Sequence, residues 1–333
     1  MAENLGKTYG YLPLFDPANG QTVRAPQGDG PGWRAGAPCA MFDAISNAFY
    51  LVYRQRQPKE LGRGIECRIA ASDNGINFQD IWALPKSSLS ALSLERAALL
   101  RGFDGRWQLY VGHVGTTDGR WRISRIEASE PDQFDVSTAV PLLTAEDTGS
   151  EGVNNPNVFV IGRMIYLLAG YATAAPGLSP EVQAQKHAGG DIYGTGLTRS
   201  RSGAAISGDG RHFQWLGDVS PVSPVPSKAP AWDDYRRRLS SLVPLETGGY
   251  LAFYDGGAAL SDYSEEQTGL AMTFDLKTYH SLSPDRPALY SPEGSGSLRY
   301  VDVLPVGREL FYYYEIARPD GAHELRVSVV ERD

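Results

Sequence analysis

The chain has 333 residues, 42% of them hydrophobic and 11% aromatic, with 37 glycines and 22 prolines. Abundant turn residues and a shortage of long amphipathic stretches point to an all-β fold, and the length suits one large unit spanning residues 1–333. A net charge of −8 without any basic run argues against nucleic acid or an anionic membrane as partner and leaves a neutral or locally recruited substrate.

The first segment, MAENLGKTYGYLPLF, lacks a positively charged start followed by an apolar run. No stretch approaches the ~20 apolar residues of a membrane span, so a soluble, cytoplasmic protein is expected. Tyr9 to Leu14 read as a short strand. From Ala37 onward a unit recurs five times at a period of roughly 60 residues: an inner strand, a turn, an aromatic-rich second strand and a third strand.

Unit one has APCAMF from Ala37, FYLVYR at 49–54, ECRIAAS and a fourth strand FQDIWAL. Its two cysteines, Cys39 and Cys67, are the only ones in the chain, too few for a zinc site or a disulfide framework. Unit two has ERAALL from Glu95, WQLYVG at 107–112 and WRISRIEA. Unit three has NNPNVFV from Asn154, IYLLAG at 165–170, SGAAISGD and FQWLGDV, with one long insertion from Tyr171 to Gly196 that would form a partial lid. After the Pro-rich connector PVSPVPSKAP, unit four has RLSSLVPL from Arg238, YLAFYD at 250–255 and TGLAMTF. Unit five has LRYVDVLPV from Leu298, LFYYYE at 310–315 and HELRVSVV. Four antiparallel strands per unit is the arithmetic of a blade, so the expectation is a five-bladed β-propeller, closed by the N-terminal strand pairing with the last unit.

Strand direction then sorts the polar residues. If each inner strand starts at one face, the hairpin turns holding Asp43 and Asp104 lie at the other. The active face collects Glu95, Arg96, Asn154, Asn155, Arg238 and Arg299 from inner-strand starts, and Arg54, Asp255 and Glu315 from second-strand ends. Loops add His113, Asp191, Asp262, Glu265, Glu266, Arg318 and His323, with Trp33, Tyr171, Tyr193, Tyr254 and Tyr263 as candidate stacking surfaces. A mouth lined by several carboxylates suits glycosidic chemistry, in which one carboxyl protonates the leaving oxygen and another activates water or attacks carbon. Glu95, Asp255 and Glu315 are the catalytic candidates. Arg96, Asn155, Asp191, Tyr193, Arg238, Tyr254, Glu266, Arg299, Arg318 and His323 are the substrate-binding ones. The alternative for each carboxylate is an ion pair with a neighbouring arginine. No metal or cofactor signature is present.

The turns SDNGINF at 72–78 and SGDGRHF at 207–213, together with SLERAALL before DGRWQLYV and TGLAMTFDLKTY after FYDG, resemble the five-bladed propeller glycosidases. These comprise the arabinanase, arabinofuranosidase and xylosidase group, the fructosidases and the mannoside phosphorylases. The resemblance implies an aspartate before a proline as general base in blade one and carboxylates opening blades two and three. Here blade one reads Ala37-Pro38 and blade three Asn154-Asn155-Pro156, so only Glu95 keeps its carboxylate. Either the acid and base have moved to Asp255 and Glu315, or the protein binds sugars without cleaving them. A third reading uses Arg96, Arg238 and Arg299 as a carboxylate-binding cluster for a sialidase-like or uronate-specific hydrolase. The reading carried forward is an exo-acting glycosidase on small oligosaccharides of a neutral sugar.

Overall fold

The computed structural model describes residues 12–185, 187, 191–224, 231–246 and 248–332. Strand β1 (Gln21–Arg24) precedes four antiparallel groups of four. The first is β2 (Arg34–Asp43), β3 (Ala48–Arg56), β4 (Gly64–Ser72) and β5 (Gln79–Pro85), and the second β6 (Ala91–Arg101), β7 (Trp107–Gly115), β8 (Trp121–Ala128) and β9 (Val140–Leu143). The third is β10 (Gly152–Ile161), β11 (Met164–Ala174), β12 (Thr198–Ser207) and β13 (Gln214–Asp218). The fourth is β14 (Arg236–Pro244), β15 (Tyr250–Gly257), β16 (Gln267–Thr273) and β17 (His280–Ser281). A final group has β18 (Leu298–Val306), β19 (Glu309–Ala317) and β20 (His323–Glu331), and β1 joins it antiparallel to β20.

The N-terminal strand is therefore Gln21–Arg24. Of the segment expected to form it, residues 9–11 lie outside the described ones and Leu12, Pro13 and Leu14 are irregular. Pro13 has no N–H to give a ladder. Phe15, the next residue, instead inserts its ring against Tyr312 and Tyr314, with centroids 4.8 and 4.6 Å away.

Period-two alternation explains how the units pack. Successive strand side chains face opposite ways, so each middle strand serves two neighbours. In β7, Leu109 and Val111 join an apolar cluster with Val52 and Ile69 of unit one, while Tyr110 between them joins Ile165 and Leu167 of unit three. In β11, Tyr166 and Leu168 turn to Leu239 and Ala252 of unit four. In β19, Tyr312 and Tyr314 meet Phe253, and Phe311 and Tyr313 meet Phe49 and Leu51 of unit one. Five apolar clusters thus link each unit to the next and the fifth to the first. The two thiols are buried in these layers, and burial pushes both up to about 12, which leaves them as protonated apolar filling.

One turn chemistry recurs between third and fourth strands. The Ser72 hydroxyl accepts from the backbone N–H of Asn74 and Gly75, and the Asn74 side chain from Ile76 and Asn77. Ser207 with Asp209, and Thr273 with Asp275, repeat the pattern. The fourth position is left-handed each time, as Gly75 (φ 71°), Gly210 (φ 74°) and Leu276 (φ 60°). These motifs are hairpin punctuation.

Candidate active site

Each inner strand loses register at the same place. Bulges interrupt β2 between Gly36 and Cys39, β6 between Leu94 and Ala97, β10 between Asn154 and Asn157, β14 between Leu239 and Ser241, and β18 between Arg299 and Asp302. A bulge re-aims the side chains beside it. Three of the bulge residues are non-glycine with left-handed backbone: Ala37 (φ 51°), Asn155 (φ 52°) and Tyr300 (φ 54°). Such a conformation costs on the order of 1 kcal/mol and persists only where surroundings impose it.

Second-strand carboxylates hold two of the three, Ala37 and Tyr300. Glu315 Oε2 accepts from the Ala37 N–H at 3.1 Å, and Asp255 Oδ1 from the Tyr300 N–H at 2.7 Å. Their other lone pairs are filled as well. Arg299 donates twice to Glu315 Oε1, at 2.9 and 2.7 Å, and Arg54 donates to Oε2 at 3.1 Å. Arg238 Nη2 donates to Asp255 Oδ2 at 2.8 Å. Burial alone would raise the Glu315 carboxyl, but the charges of Arg299 and Arg54 outweigh it and hold it well below the usual carboxylate range. Neither carboxylate lines the pocket. Both brace the bulges of the adjoining unit, which gives a structural reason for carboxylates at these strand ends.

The pocket they support opens between the bulges and is narrow, leaving about 20 Å³ for the centre of a water-sized sphere. Of the residues singled out from sequence, Glu95, Asn154, Asn155, Tyr193, Arg238, Tyr263, Glu266 and Arg299 line it. Glu95 sits in the β6 bulge, paired with Arg54, and its Oε1 accepts from the Tyr300 hydroxyl at 3.1 Å. Glu266 pairs with Arg236 and, at 2.5 Å, with Arg299. Burial would raise its pKa, yet Arg236, Arg299 and Arg238 together keep it well below the usual carboxylate value. Tyr300 lies at the centre of the cations, its ring centroid 4.5 Å from the Arg238 guanidinium and 5.0 Å from that of Arg299.

The other candidates lie elsewhere. Arg96 is buried between bulges, donating to the carbonyls of Pro38 and Ser240 and to Asp302 at 3.0 Å. His323 is buried behind the pocket, between Glu315 and Glu265. Tyr254 packs in the layer between units three and four, its hydroxyl on Asp233 at 2.9 Å. Arg318 faces Asp29 and Asp320 at 3.3 Å. Asp191 stands one step back, holding Arg63 at 3.0 Å and accepting from the Tyr263 hydroxyl at 2.8 Å. Asp43 and Asp104 occupy hairpin turns away from the pocket, Asp43 capping Ser46 and Asp104 capping Arg106.

Sequence reasoning missed Arg56, Arg63, Trp121, Arg236, Ser264 and Tyr300 in the wall. Arg56 and Arg236 lie two residues from Arg54 and Arg238, so strand alternation could have found them. Tyr300 could not be found this way, because the bulge breaks the alternation. The insertion does contribute: Ile192 and Tyr193 pack with Trp121 and Tyr263 along one side of the pocket.

Around the pocket the carboxylates are shared, Glu315 by Arg54, Arg299 and Arg34 and Glu266 by Arg236, Arg299 and Arg238, yet each arginine but one can be matched to a separate acid. Arg34 meets Glu265, Arg54 Glu95, Arg63 Asp191, Arg236 Glu266, Arg238 Asp255 and Arg299 Glu315. Arg56 has no carboxylate within 4 Å among the described residues; its nearest polar contact is a 3.4 Å hydrogen bond to the Ser264 hydroxyl. No group of three or more His, Cys, Asp or Glu among them is arranged to hold a metal, and no helix among them is long and apolar enough to cross a membrane.

No protein-family model matches the chain, and no curated protein matches it. Solved structures do. The RS223 β-xylosidase superposes with a TM-score of 0.62 at 8% identity, covering 95% of this chain and 96% of its own. A GH43_1 enzyme from Xanthomonas citri, solved with xylotriose, gives a TM-score of 0.62 at 12% identity over 92% of this chain and 90% of its own. A thermostable family-43 glycoside hydrolase gives 0.61 at 14%, over 93% and 92%. At these identities the likeness is one of fold, and it agrees with the resemblance read from the turns and strands.

Proposed function

We propose that the five units form a single five-bladed β-propeller domain, its last blade completed by β1, and that the pocket between the bulges hydrolyses glycosidic bonds. The observation that carries this reading is Glu95. It is a carboxylate on an inner-strand bulge, in the pocket wall together with a second carboxylate, Glu266, on a fold shared with glycoside hydrolases. Such a pair can divide the work, one carboxyl exchanging a proton with the leaving oxygen or the attacking water and the other facing the opposite side of the sugar. Glu266, fixed as a carboxylate by its arginines, is suited to accept from sugar hydroxyls or from water. Glu95 is the group we assign to proton transfer. Ile192 and Tyr193 of the insertion close one side of the pocket, which favours a terminal sugar and hence exo action.

One observation favours a second reading. Ala37 and Asn155 occupy bulges where the resemblance implies carboxylates, and Asp255 and Glu315 have their lone pairs occupied by structural partners. A carbohydrate-binding propeller without turnover would tolerate all of this. Hydrolysis of a panel of aryl glycosides and natural oligosaccharides, with binding followed separately by calorimetry, tells the two apart. The hydrolase reading expects cleavage by the wild type; sugar binding without cleavage of any panel member would leave the binding module.

A further inference from the structure

From the pairing of charges we infer that the sugar this pocket takes is acidic, a uronate whose carboxylate docks against Arg56. The inference rests on the reading of the pocket as a sugar site. Arg56 ends β3 opposite Arg34 in the ladder and lines the pocket beside Tyr263 and Ser264. Every other arginine around the pocket can be matched to a carboxylate of its own, so the assembly carries one positive charge more than its acids cancel.

Arg56 is half-buried with its Nε fully covered, and a charge partly withdrawn from water without a partner is costly, a cost that a bound anion would offset. Burial, together with the charges of Arg34, Arg54 and Arg63 and against the pull of Tyr263, pushes Arg56 down to about 9, which still leaves it protonated at neutral pH. Unused donors surround it. Arg56 Nε, Arg63 Nε and Arg236 Nε are buried without a hydrogen-bond partner, and all three side chains line the pocket. Guanidinium donors beside a hydroxyl match the planar, two-oxygen geometry of a carboxylate. A phosphate monoester, with about −1.5 to −2 charges at neutral pH, overshoots a single excess cation. The chain as a whole is at −8, so a surplus of positive charge at this one site is a local feature. Arg238 and Arg299, the sequence-level candidates for such a role, are already neutralised by Asp255 and Glu315, and Arg96 by Asp302.

The test is calorimetric titration of the full chain with methyl glucuronides and galacturonides of both anomers, each matched to its uncharged hexoside, in wild type, Arg56→Met and Arg56→Lys. The wild type should bind one uronate at least roughly 10-fold more tightly than its matched hexoside, as a charge-assisted fork provides. Arg56→Met should erase that preference, and Arg56→Lys should keep part of it. Thermal unfolding without ligand gives an independent reading: Arg56→Met should raise the melting temperature by removing an uncompensated cation. Equal binding of uronate and hexoside, survival of the preference in Arg56→Met, or a lowered melting temperature in that variant would each overturn the inference. Uronate binding without cleavage would uphold it while removing the hydrolase reading. Cleavage of neutral glycosides with no uronate preference would do the reverse.

Discussion

Glu315 and Glu95 contact the same guanidinium, that of Arg54, from two different regions of the molecule. Glu315 belongs to the ion-pair layer behind the pocket, where its oxygens receive the Ala37 N–H, Arg54, Arg299 and His323. Glu95 belongs to the pocket wall, where its protein contacts are Arg54 and the Tyr300 hydroxyl. The contrast separates two uses of a carboxylate at a strand end. Where its lone pairs are filled by backbone and arginine it holds a strained bulge in place, and where it faces an opening it has capacity left for a ligand.

If that division is right, the largest effect on stability comes from the layer. Glu315→Gln leaves Arg299 and Arg54 short of a counter-charge in a fully buried setting, and should cost about 3–5 kcal/mol. Denaturant unfolding measures it, and a loss under about 1 kcal/mol would mean that the layer does not brace the bulges.

Acid offers a way to separate carboxylates from other titrating groups. His113, buried on β7 with Nε2 on the Ser124 hydroxyl, is pushed down to about 4 by burial. Its folded pKa lies below its unfolded value of about 6.5, so its stabilising contribution is present above that value and is lost as pH falls towards 4, up to roughly 3 kcal/mol. Glu315 and Glu265 should stay ionised through this window, whereas burial raises the Asp255 carboxyl despite its pairing with Arg238. Burial would raise Glu265, but its hydrogen bond to His323 and the Arg34 charge bring it to about 2, so its contribution is lost only as pH falls from its unfolded value through about 2. Unfolding curves from pH 7 to 4 should therefore flatten in His113→Asn. If they do not, the layer is titrating early and the contrast with the wall weakens.

The smallest effects belong to the hairpin end. Asp43→Asn and Asp104→Asn remove turn caps and should each cost about 1 kcal/mol or less. Neither should change turnover at a temperature where the variants are folded. A loss of activity in either would place that turn nearer the chemistry than the pocket does.

Much of the fold was readable because packing rests on alternation. Tyr110 flanked by Leu109 and Val111 is enough to show a strand shared between two layers, and Ser72, Asn74 and Gly75 spell out a turn whose hydrogen bonds follow from their chemistry. The site was readable only in part. Glu95, Arg238 and Arg299 were found from strand ends and Glu266 from a loop, but sequence position does not say how many partners a carboxylate has, so Glu315 and Asp255 looked like acids available for reaction. Tyr300 was invisible for a different reason: its left-handed backbone is imposed from outside its own strand by Asp255. The same limit applies to Arg56, which stands out only after every other arginine has been matched to its acid.

The account turns on Glu95 acting in the wall while Glu315 acts in the layer, and turnover of one cleaved glycoside by the two amide variants compares them directly. Glu95→Gln should lower kcat by about 10²–10⁴, the usual contribution of a positioned proton-transfer group, with a smaller loss of stability than Glu315→Gln because Arg54 keeps its contact with Glu315. Glu315→Gln, assayed where it is still folded, should lose far less turnover and much more stability. Full turnover in Glu95→Gln, or the larger kinetic loss in folded Glu315→Gln, would contradict the assignment.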